Sequence, residues 1–145
     1  GDKINLFSLS DIGLNQEIPE NEKTIKKNAM FKAKFVNTQT GKNVFADDTG
    51  LEIDSLNGEP GVYSARYSGV ERNPDKNIEL VLTKLKNKSN RNSRFKTIIS
   101  LILDGKSVNF EGVVEGKITE EKEVVMVLVT TQFFNPMDMH QHSAK

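Results

Sequence analysis

The sequence predicts an α/β domain in which a mixed, twisted sheet with flanking helices forms two lobes around a cleft. Two segments, residues 24–36 and 73–87, carry apolar residues at helical spacing, whereas the segments between and after them are β-prone and bounded by turn residues. A length of 145 residues allows one domain with a substantial core but is short for two.

Both predicted helices are amphipathic. The first covers Thr24 to Val36 and has lysines between its apolar positions, so we expect it to pack on the sheet. The second opens at Asn73-Pro74, an N-cap residue followed by proline at the first helical position, and ends near Asn87. The apolar stripes consist of Ile25, Ala29, Ala33 and Val36 in the first helix and of Ile78, Val81, Leu82 and Leu85 in the second.

Two short strands are predicted after the first helix. Residues 43–46 form one of them, which ends at Asp47 and Asp48 where the chain changes direction. Alternation over residues 51–55 predicts the other, and Asn57-Gly58 then forms a turn. The two carboxylates are therefore expected at a strand end that opens into the cleft.

A hairpin and a functional loop complete the prediction. Residues 59–69 are punctuated by glycine and proline and are rich in tyrosine and arginine, which is typical of a loop that carries function. Residues 94–103 are apolar and β-prone, and Asp104-Gly105 is a hairpin turn of the primed type. One face of the return strand consists of Val108, Phe110, Gly112, Val114 and Gly116.

Composition excludes several classes of function. The chain has 20 basic and 20 acidic side chains, so its net charge gives no broad attraction for nucleic acid, and a phosphate ligand must be small and locally held. It has no cysteine, which excludes disulfides, zinc-thiolate sites and thiol catalysis. Neither a membrane span nor a signal peptide is evident, so we expect a cytoplasmic protein.

The segment Asp47-Asp48-Thr49-Gly50 has the chemistry of a magnesium phosphate site. A hard cation prefers carboxylate oxygens, and a sharp turn would keep both side chains exposed. The alternative is that these are ordinary turn or cap residues, which from spacing alone is the more frequent origin of such a pair. The motif by itself leaves both interpretations open.

The acidic pair lies within a longer string that covers residues 44–54 and continues through residues 58–69. This string resembles the central signature of the inosine triphosphate pyrophosphatase family, and the similarity extends over about residues 3 to 122. The flanking matches are Asn28-Ala29 and Lys32-Ala33 in the first helix, Arg72-Asn73 before the second, and Phe110-Glu111-Gly112 and Gly116-Lys117-Ile118 in the hairpin.

The resemblance implies an enzyme that hydrolyses the noncanonical purine nucleotides ITP, dITP and XTP to monophosphate and pyrophosphate, as a homodimer with Mg²⁺. Asp48 matches the family's magnesium ligand and base, and Thr49 matches a residue that contacts substrate. Asp47 is a second candidate metal ligand or a structural residue. Arg66 either binds phosphate or a dimer partner or forms a structural salt bridge, whereas Tyr63 and Tyr67 are expected to pack.

The chain also departs from the family pattern. The family opens with a strand and a phosphate-binding loop, and this chain starts beyond them; Lys26 and Lys27 stand where the family carries a further metal-site Glu. Residues 1–122 are interpreted as the pyrophosphatase core, and we expect poor ITP hydrolysis. The alternatives are a non-catalytic fragment that keeps the core or dimer surface, and a septum-inhibitor-type nucleotide pyrophosphatase, which residues 61–67 disfavour.

Residues 123–145 are interpreted as an aberrant tail. Shifting the reading frame by one base forces glycine at Met126-Val127 and at Met137-Asp138 and permits the family's Gly-Phe-Gly-Tyr-Asp-Pro segment. We therefore hypothesise that a base was lost near residues 120–122, in which case His140 and His142 have no role. The alternative is that residues 124–134 form a genuine β-prone final strand.

Overall fold

The computed structural model describes residues 3–120, and the tail with His140 and His142 lies outside them. Within this part of the chain, no helix is both long and apolar enough to cross a membrane. The elements are α1 at Ile25–Thr40, β1 at Val44–Ile53, β2 at Pro60–Gly61, α2 at Pro74–Lys84, β3 at Asn92–Leu103 and β4 at Lys106–Lys117, with short 3-10 helices at Asp54–Leu56 and Ser64–Arg66.

The four strands form one sheet in the order β2-β1-β3-β4, and its three pairings are antiparallel. β3 and β4 are the predicted hairpin, paired from Asn92 with Lys117 to Leu103 with Lys106. Asp104 and Gly105 have φ values of 50° and 81°, as a primed two-residue turn requires. The predicted α/β class is confirmed.

β1 overturns the prediction that the acids lie at a strand end. The strand runs without interruption from Val44 to Ile53, so Asp47 and Asp48 lie in its middle. Each of these residues has a partner on β3. The prediction is wrong because Asp and Gly favour turns locally, whereas continuous pairing with β3 supplies backbone hydrogen bonds that override that preference.

Both helices begin where the sequence predicts. Thr24 and Asn73 cap them, and each side chain accepts a hydrogen bond of 3.1 Å from the backbone amide three residues on. α1 extends past Val36 to Thr40, and α2 ends at Lys84.

The two helices pack against opposite faces of the sheet. α1 covers one face through a buried cluster formed by Ile25, Ala29 and Ile98. α2 contributes to a second cluster made of Leu51, Ile53, Val81, Leu85 and Ile118. Because side chains alternate along a strand, successive residues of β1 face α1 and the opposite side in turn.

Candidate active site

Asp48 lies on the face of β1 that α1 covers. It is paired with Ile98, which is buried beneath α1, so the two side chains share that face. Asp47 and Thr49 are its neighbours along the strand and therefore face the other side. There, Thr49 Oγ1 shares a hydrogen bond of 2.8 Å with Thr97 Oγ1. The two carboxylates of the predicted motif are thus on opposite faces of the sheet.

Lys32 of α1 stands between two carboxylates. Its Nζ atom is 3.6 Å from Asp48 Oδ1 and 3.3 Å from Glu20 Oε1. The three side chains are only 14–24% exposed, so their attraction is screened less than that of surface ion pairs. This row of acid, base and acid is the centre of the candidate site.

The surroundings of Asp48 disfavour the charged form of its carboxyl group. Burial raises the pKa of its carboxyl group, the positive charge of Lys32 opposes that effect, and the negative charge of Glu20 adds to it. Its Oδ2 atom is buried and has no hydrogen-bond partner among the described residues. A buried carboxylate oxygen in this state costs free energy that a cation or a hydrogen-bond donor would recover.

Glu20 is a site residue that the sequence analysis missed. Its Oε2 atom is 3.8 Å from Arg66 Nη1 and 3.6 Å from Arg72 Nη2, and its backbone carbonyl accepts a hydrogen bond of 2.9 Å from Arg66 Nη2. Arg66 therefore makes the structural salt bridge that was one of its two predicted roles. Glu20 lies outside any periodic element and is 12 and 46 residues from Lys32 and Arg66, so no local pattern could identify it.

Asn28 fixes the segment that carries Glu20. Its side chain is fully buried, and its Oδ1 atom accepts a hydrogen bond of 3.0 Å from Glu22 N. Because Asn28 and Lys32 are four residues apart on α1, they lie on the same face of the helix. One helix face therefore positions both the lysine and the segment of its acidic partner.

Position 50 is occupied by glycine because of a close contact with neighbouring elements, not because the chain turns there. A Cβ atom at this position would lie 2.4 Å from Gly61 O and 2.6 Å from Ile25 Cδ1. The absence of a side chain lets β2 and α1 approach β1. The glycine of the predicted motif thus serves the packing that brings α1 over Asp48.

Asp48 is suited to bind a magnesium ion whose other ligands are water and phosphate oxygens of a substrate. Residues 3–120 contain no group of three or more His, Cys, Asp or Glu side chains that could hold a metal by themselves. Mg²⁺, however, often takes only one or two carboxylates together with waters and phosphate oxygens. The unpartnered Oδ2 atom of Asp48 is a suitable ligand. Because successive side chains of a strand lie on opposite faces, the carboxylate of Asp47 is separated from that of Asp48. The role of Asp47 as a metal ligand stays a prediction.

A cleft of about 490 Å³ lies beside Asp48 rather than over it. It is lined by the first turn of α1, by residues 57–63 and by Glu52, Lys96 and Ile98, the last of which is the partner of Asp48 on β3. Tyr63 of the predicted functional loop lines this cleft and is half exposed, with the Arg66 guanidinium 5.2 Å from its ring centre.

Comparison with known proteins identifies the family. Residues 1–126 match the Ham1 family. This chain belongs to the Ham1 family. A Ham1 relative, the dITP/XTP pyrophosphatase of Flavobacterium johnsoniae, is 50% identical over 121 residues, which cover 83% of this chain and 63% of the relative. The dITP/XTP pyrophosphatase of Christiangramia forsetii is 54% identical over 119 residues, with 82% and 63% covered.

Solved Ham1 structures share the fold. The Staphylococcus aureus Ham1 protein matches with a TM-score of 0.77 and 37% identity over 81% of this chain and 62% of that one. A nucleoside-triphosphatase, or dITP/XTP pyrophosphatase, from Mycobacterium abscessus gives 0.72 and 35%, over 82% and 64%. The resemblance predicted from the sequence motif is confirmed, and the chain spans about 63% of the length of the curated relatives above.

Proposed function

We propose that this chain carries the catalytic core of an enzyme that hydrolyses noncanonical purine nucleoside triphosphates, namely dITP, XTP and ITP, to monophosphate and pyrophosphate. Relatives about half identical to it bear the name dITP/XTP pyrophosphatase. The observation that carries the proposal is Asp48, whose carboxylate has one unpartnered buried oxygen and a lysine beside the other. A carboxylate that can activate water next to a cation that can bind phosphate is the minimum for this hydrolysis.

Asp48 is the residue that receives the proton of the attacking water. The water oxygen bonds to one phosphorus of the α–β bridge, the bond between that same phosphorus and the bridging oxygen breaks, and the bridging oxygen leaves with the other phosphorus, so that monophosphate and pyrophosphate are the products. Asp48 Oδ2 would hold Mg²⁺, which would supply positive charge that offsets the charge of the phosphates.

The roles of the other site residues are assigned from the face of the sheet on which each side chain lies. Lys32 binds phosphate oxygens through its ammonium group, which carries three donors. Within the described sheet, β2 pairs with only Leu51 and Glu52 of β1, so the rest of that β1 edge has no strand partner among residues 3–120. A substrate that lies across this edge reaches both faces, and we assign Thr49 a contact with it and Asp47 a supporting role at the metal.

The family resemblance alone supports two further proposals, one on assembly and one on cellular location. We propose a homodimer that acts in the cytoplasm on the nucleotide pool. Sedimentation of the 145-residue chain tests the first part, because a monomer at micromolar concentration would contradict it.

The test of the catalytic assignment is pyrophosphate release from dITP with Mg²⁺. Asp48→Asn keeps the side chain's size and removes the base, so release should fall at least about 100-fold. Asp104→Asn is the matched control, an identical substitution at an exposed position in the turn between β3 and β4, and should keep most of the activity. Activity retained in Asp48→Asn would overturn the role of this residue.

A second candidate is a non-catalytic nucleotide-binding core, which is favoured by the placement of Asp47 and Asp48 on opposite faces of the sheet, because only one carboxylate of the predicted pair then lies at the site. Catalysis needs the phosphates to be positioned as well as a base, whereas binding needs less. Calorimetry with dITP and Mg²⁺ separates the two. Binding that Asp48→Asn weakens, without pyrophosphate release from the parent chain, would favour this second function.

A further inference from the structure

Asn77 joins α2 to the backbone of residues 64–68. Its Oδ1 atom accepts two hydrogen bonds, one of 2.8 Å from Ser68 N and one of 2.6 Å from Ser68 Oγ. Its Nδ2 atom donates to the carbonyl oxygens of Ser64, at 3.3 Å, and of Ala65, at 2.9 Å. One side chain of α2 therefore makes four hydrogen bonds to a segment of five residues.

These four bonds use the full capacity of the Asn77 amide. An asparagine side chain has two donor hydrogens and one acceptor oxygen with two lone pairs, and each of these positions has a partner here. The orientation of the amide is therefore determined, because the opposite one would direct its NH₂ group at the Ser68 amide and its oxygen at two carbonyls. A side chain fixed in this way also fixes the backbone that it contacts.

The backbone of residues 64–68 depends on partners outside itself. Ser64–Arg66 is a single turn of 3-10 helix, and one turn leaves its last carbonyls without partners inside the turn. Asn77 supplies donors to two such carbonyls. On the other side, Ser64 Oγ accepts a hydrogen bond of 2.8 Å from Leu51 N of β1. The turn is thus held between β1 and α2.

Arg66 lies within the segment that Asn77 holds. Its Nη2 atom donates a hydrogen bond of 2.9 Å to the carbonyl oxygen of Glu20, in the segment before α1. Its guanidinium group also lies 5.2 Å from the centre of the Tyr63 ring. Because α1 and α2 pack on opposite faces of the sheet, Arg66 completes a connection from one face to the other.

We propose that Asn77 is a positioning residue for the proposed hydrolysis and holds residues 64–68 in the conformation in which Arg66 reaches Glu20. This inference rests on the proposed function, in which Lys32 binds phosphate. Lys32 Nζ donates a hydrogen bond of 3.3 Å to Glu20 Oε1, so movement of the segment that Arg66 holds also moves an acceptor of Lys32. Asn77 therefore acts on the site through Arg66 and the segment before α1.

The first experiment measures ¹⁵N relaxation of the backbone and of the arginine side chains in the 145-residue chain. In the parent chain, the backbone amides of residues 64–68 should have order parameters of about 0.85, as in a rigid backbone. Asn77→Ala should lower these values below about 0.6, and the Nε–Hε group of Arg66 should lose order with them. Asn77 is half-buried, so water can replace its bonds and the chain should stay folded.

Asn73→Ala is the matched control. Asn73 is also a half-buried asparagine at the start of α2, and its Oδ1 atom accepts the hydrogen bond of 3.1 Å from Lys76 N that caps the helix. Its removal destabilises α2 but takes no bond from residues 64–68, so their order and that of Arg66 should stay at the values of the parent chain. An equal loss of order in both variants would overturn the proposal, because the stability of α2 would then set the conformation of Arg66.

Asn77→Asp provides a second variant, in case Asn77→Ala does not fold. It keeps the size of the side chain and an oxygen that accepts from Ser68, but it lacks the donors for Ser64 and Ala65. The added negative charge lies near the N-terminus of α2, where it favours the helix. Circular dichroism establishes the fold. Folded Asn77→Asp with Arg66 as ordered as in the parent chain would contradict the proposal.

The kinetics of pyrophosphate release from dITP with Mg²⁺ are the second readout. Asn77→Ala should raise KM about two- to tenfold, the factor that corresponds to the net loss of one hydrogen bond. The value of kcat should change less than about twofold, because the segment that moves carries the acceptor of Lys32, whereas the base, Asp48, lies on β1. Asn73→Ala should leave both constants near those of the parent chain. A fall in kcat at unchanged KM would refute the positioning role.

These readouts separate the two proposals. Pyrophosphate release that depends on Asp48 and is equal in Asn77→Ala and Asn73→Ala would remove the role of Asn77 and leave the proposed function. Loss of Arg66 order in Asn77→Ala alone, in a chain that neither hydrolyses nor binds dITP, would support the positioning of Arg66 by Asn77 and remove the proposed function.

Discussion

Gly50 lies so close to Gly61 that a Cβ at position 50 would stand 2.4 Å from the Gly61 carbonyl oxygen. That oxygen belongs to the backbone and cannot rotate away as a flexible side chain could. A side chain at position 50 would therefore have to displace β2 from β1. Because Ile25 of α1 would also be contacted, at 2.6 Å, the displacement would reach the helix that covers Asp48.

Gly50→Ala should destabilise the fold by about 1–3 kcal/mol, the usual cost of overpacking a tight contact. The measurement is urea unfolding at neutral pH. Gly112→Ala is the matched control, because Gly112 is also in a strand but has nothing within 4 Å of an added Cβ. Equal effects of the two substitutions would show that the Gly50 contact does not limit packing.

Asp48→Asn should stabilise the protein in the absence of metal while it removes activity. The folded-state pKa of Asp48 is raised, chiefly by burial, so the folded chain binds a proton more tightly than the unfolded chain does. Stability therefore decreases as the pH rises from the unfolded pKa, about 3.9, through the higher folded pKa. The substitution removes this loss, so Asp48→Asn should unfold at a higher urea concentration than the parent chain.

The pH dependence distinguishes this explanation from a general effect of substitution. Urea unfolding with a chelator should give a larger difference between Asp48→Asn and the parent chain near pH 7 than at acidic pH, where Asp48 is protonated in both states. Asp47→Asn, at an exposed position of β1, should give a small difference at both pH values. A gain that is the same at both pH values would contradict the burial argument.

Thr24→Ala should cost about 1 kcal/mol, because Thr24 Oγ1 accepts the hydrogen bond from Lys27 N that caps α1. Thr83→Ala, at an exposed position within α2, is the control and should stay within about 0.5 kcal/mol of the parent chain. Thermal and urea unfolding measure both variants.

The fold was more predictable from the sequence than the site. Caps, apolar stripes and the primed turn at Asp104-Gly105 are local features, and each predicted its element. The motif string also identified the family. Local residue preferences failed at β1, where Asp47 to Gly50 resemble a turn but are held in a strand by β3.

Glu20 could not be predicted for a related reason. Its partners are brought together only by the packing of α1 on the sheet and by the position of the loop that carries Arg66. Likewise, the placement of Asp47 and Asp48 on opposite faces can be predicted only if residues 44–53 are recognised as one continuous strand. In a turn, both carboxylates would lie together.

The Tyr67 phenol should titrate above its usual value of 10.0. Burial raises its pKa, and the hydroxyl lies between two charged groups, 2.8 Å from Lys84 Nζ and 2.9 Å from Glu59 Oε1. The hydrogen bond from Lys84 lowers this pKa, whereas the Glu59 carboxylate raises it. Because the folded state keeps the phenol proton to higher pH than the unfolded state does, stability should decrease as the pH rises through that interval.

Lys84→Met should therefore raise the pKa of Tyr67 further, and Glu59→Gln should lower it. The chain has two tyrosines and no tryptophan, so a Tyr63→Phe background leaves Tyr67 as the source of the phenolate absorbance that is followed during alkaline titration. Lys86→Met is a control for the loss of one positive charge near the end of α2. It should change the pKa of Tyr67 less, because the Tyr67 hydroxyl is contacted by Lys84 and Glu59 and not by Lys86. Shifts of the same sign in Lys84→Met and Glu59→Gln would contradict this arrangement of charges, because the two groups act on the phenol in opposite directions.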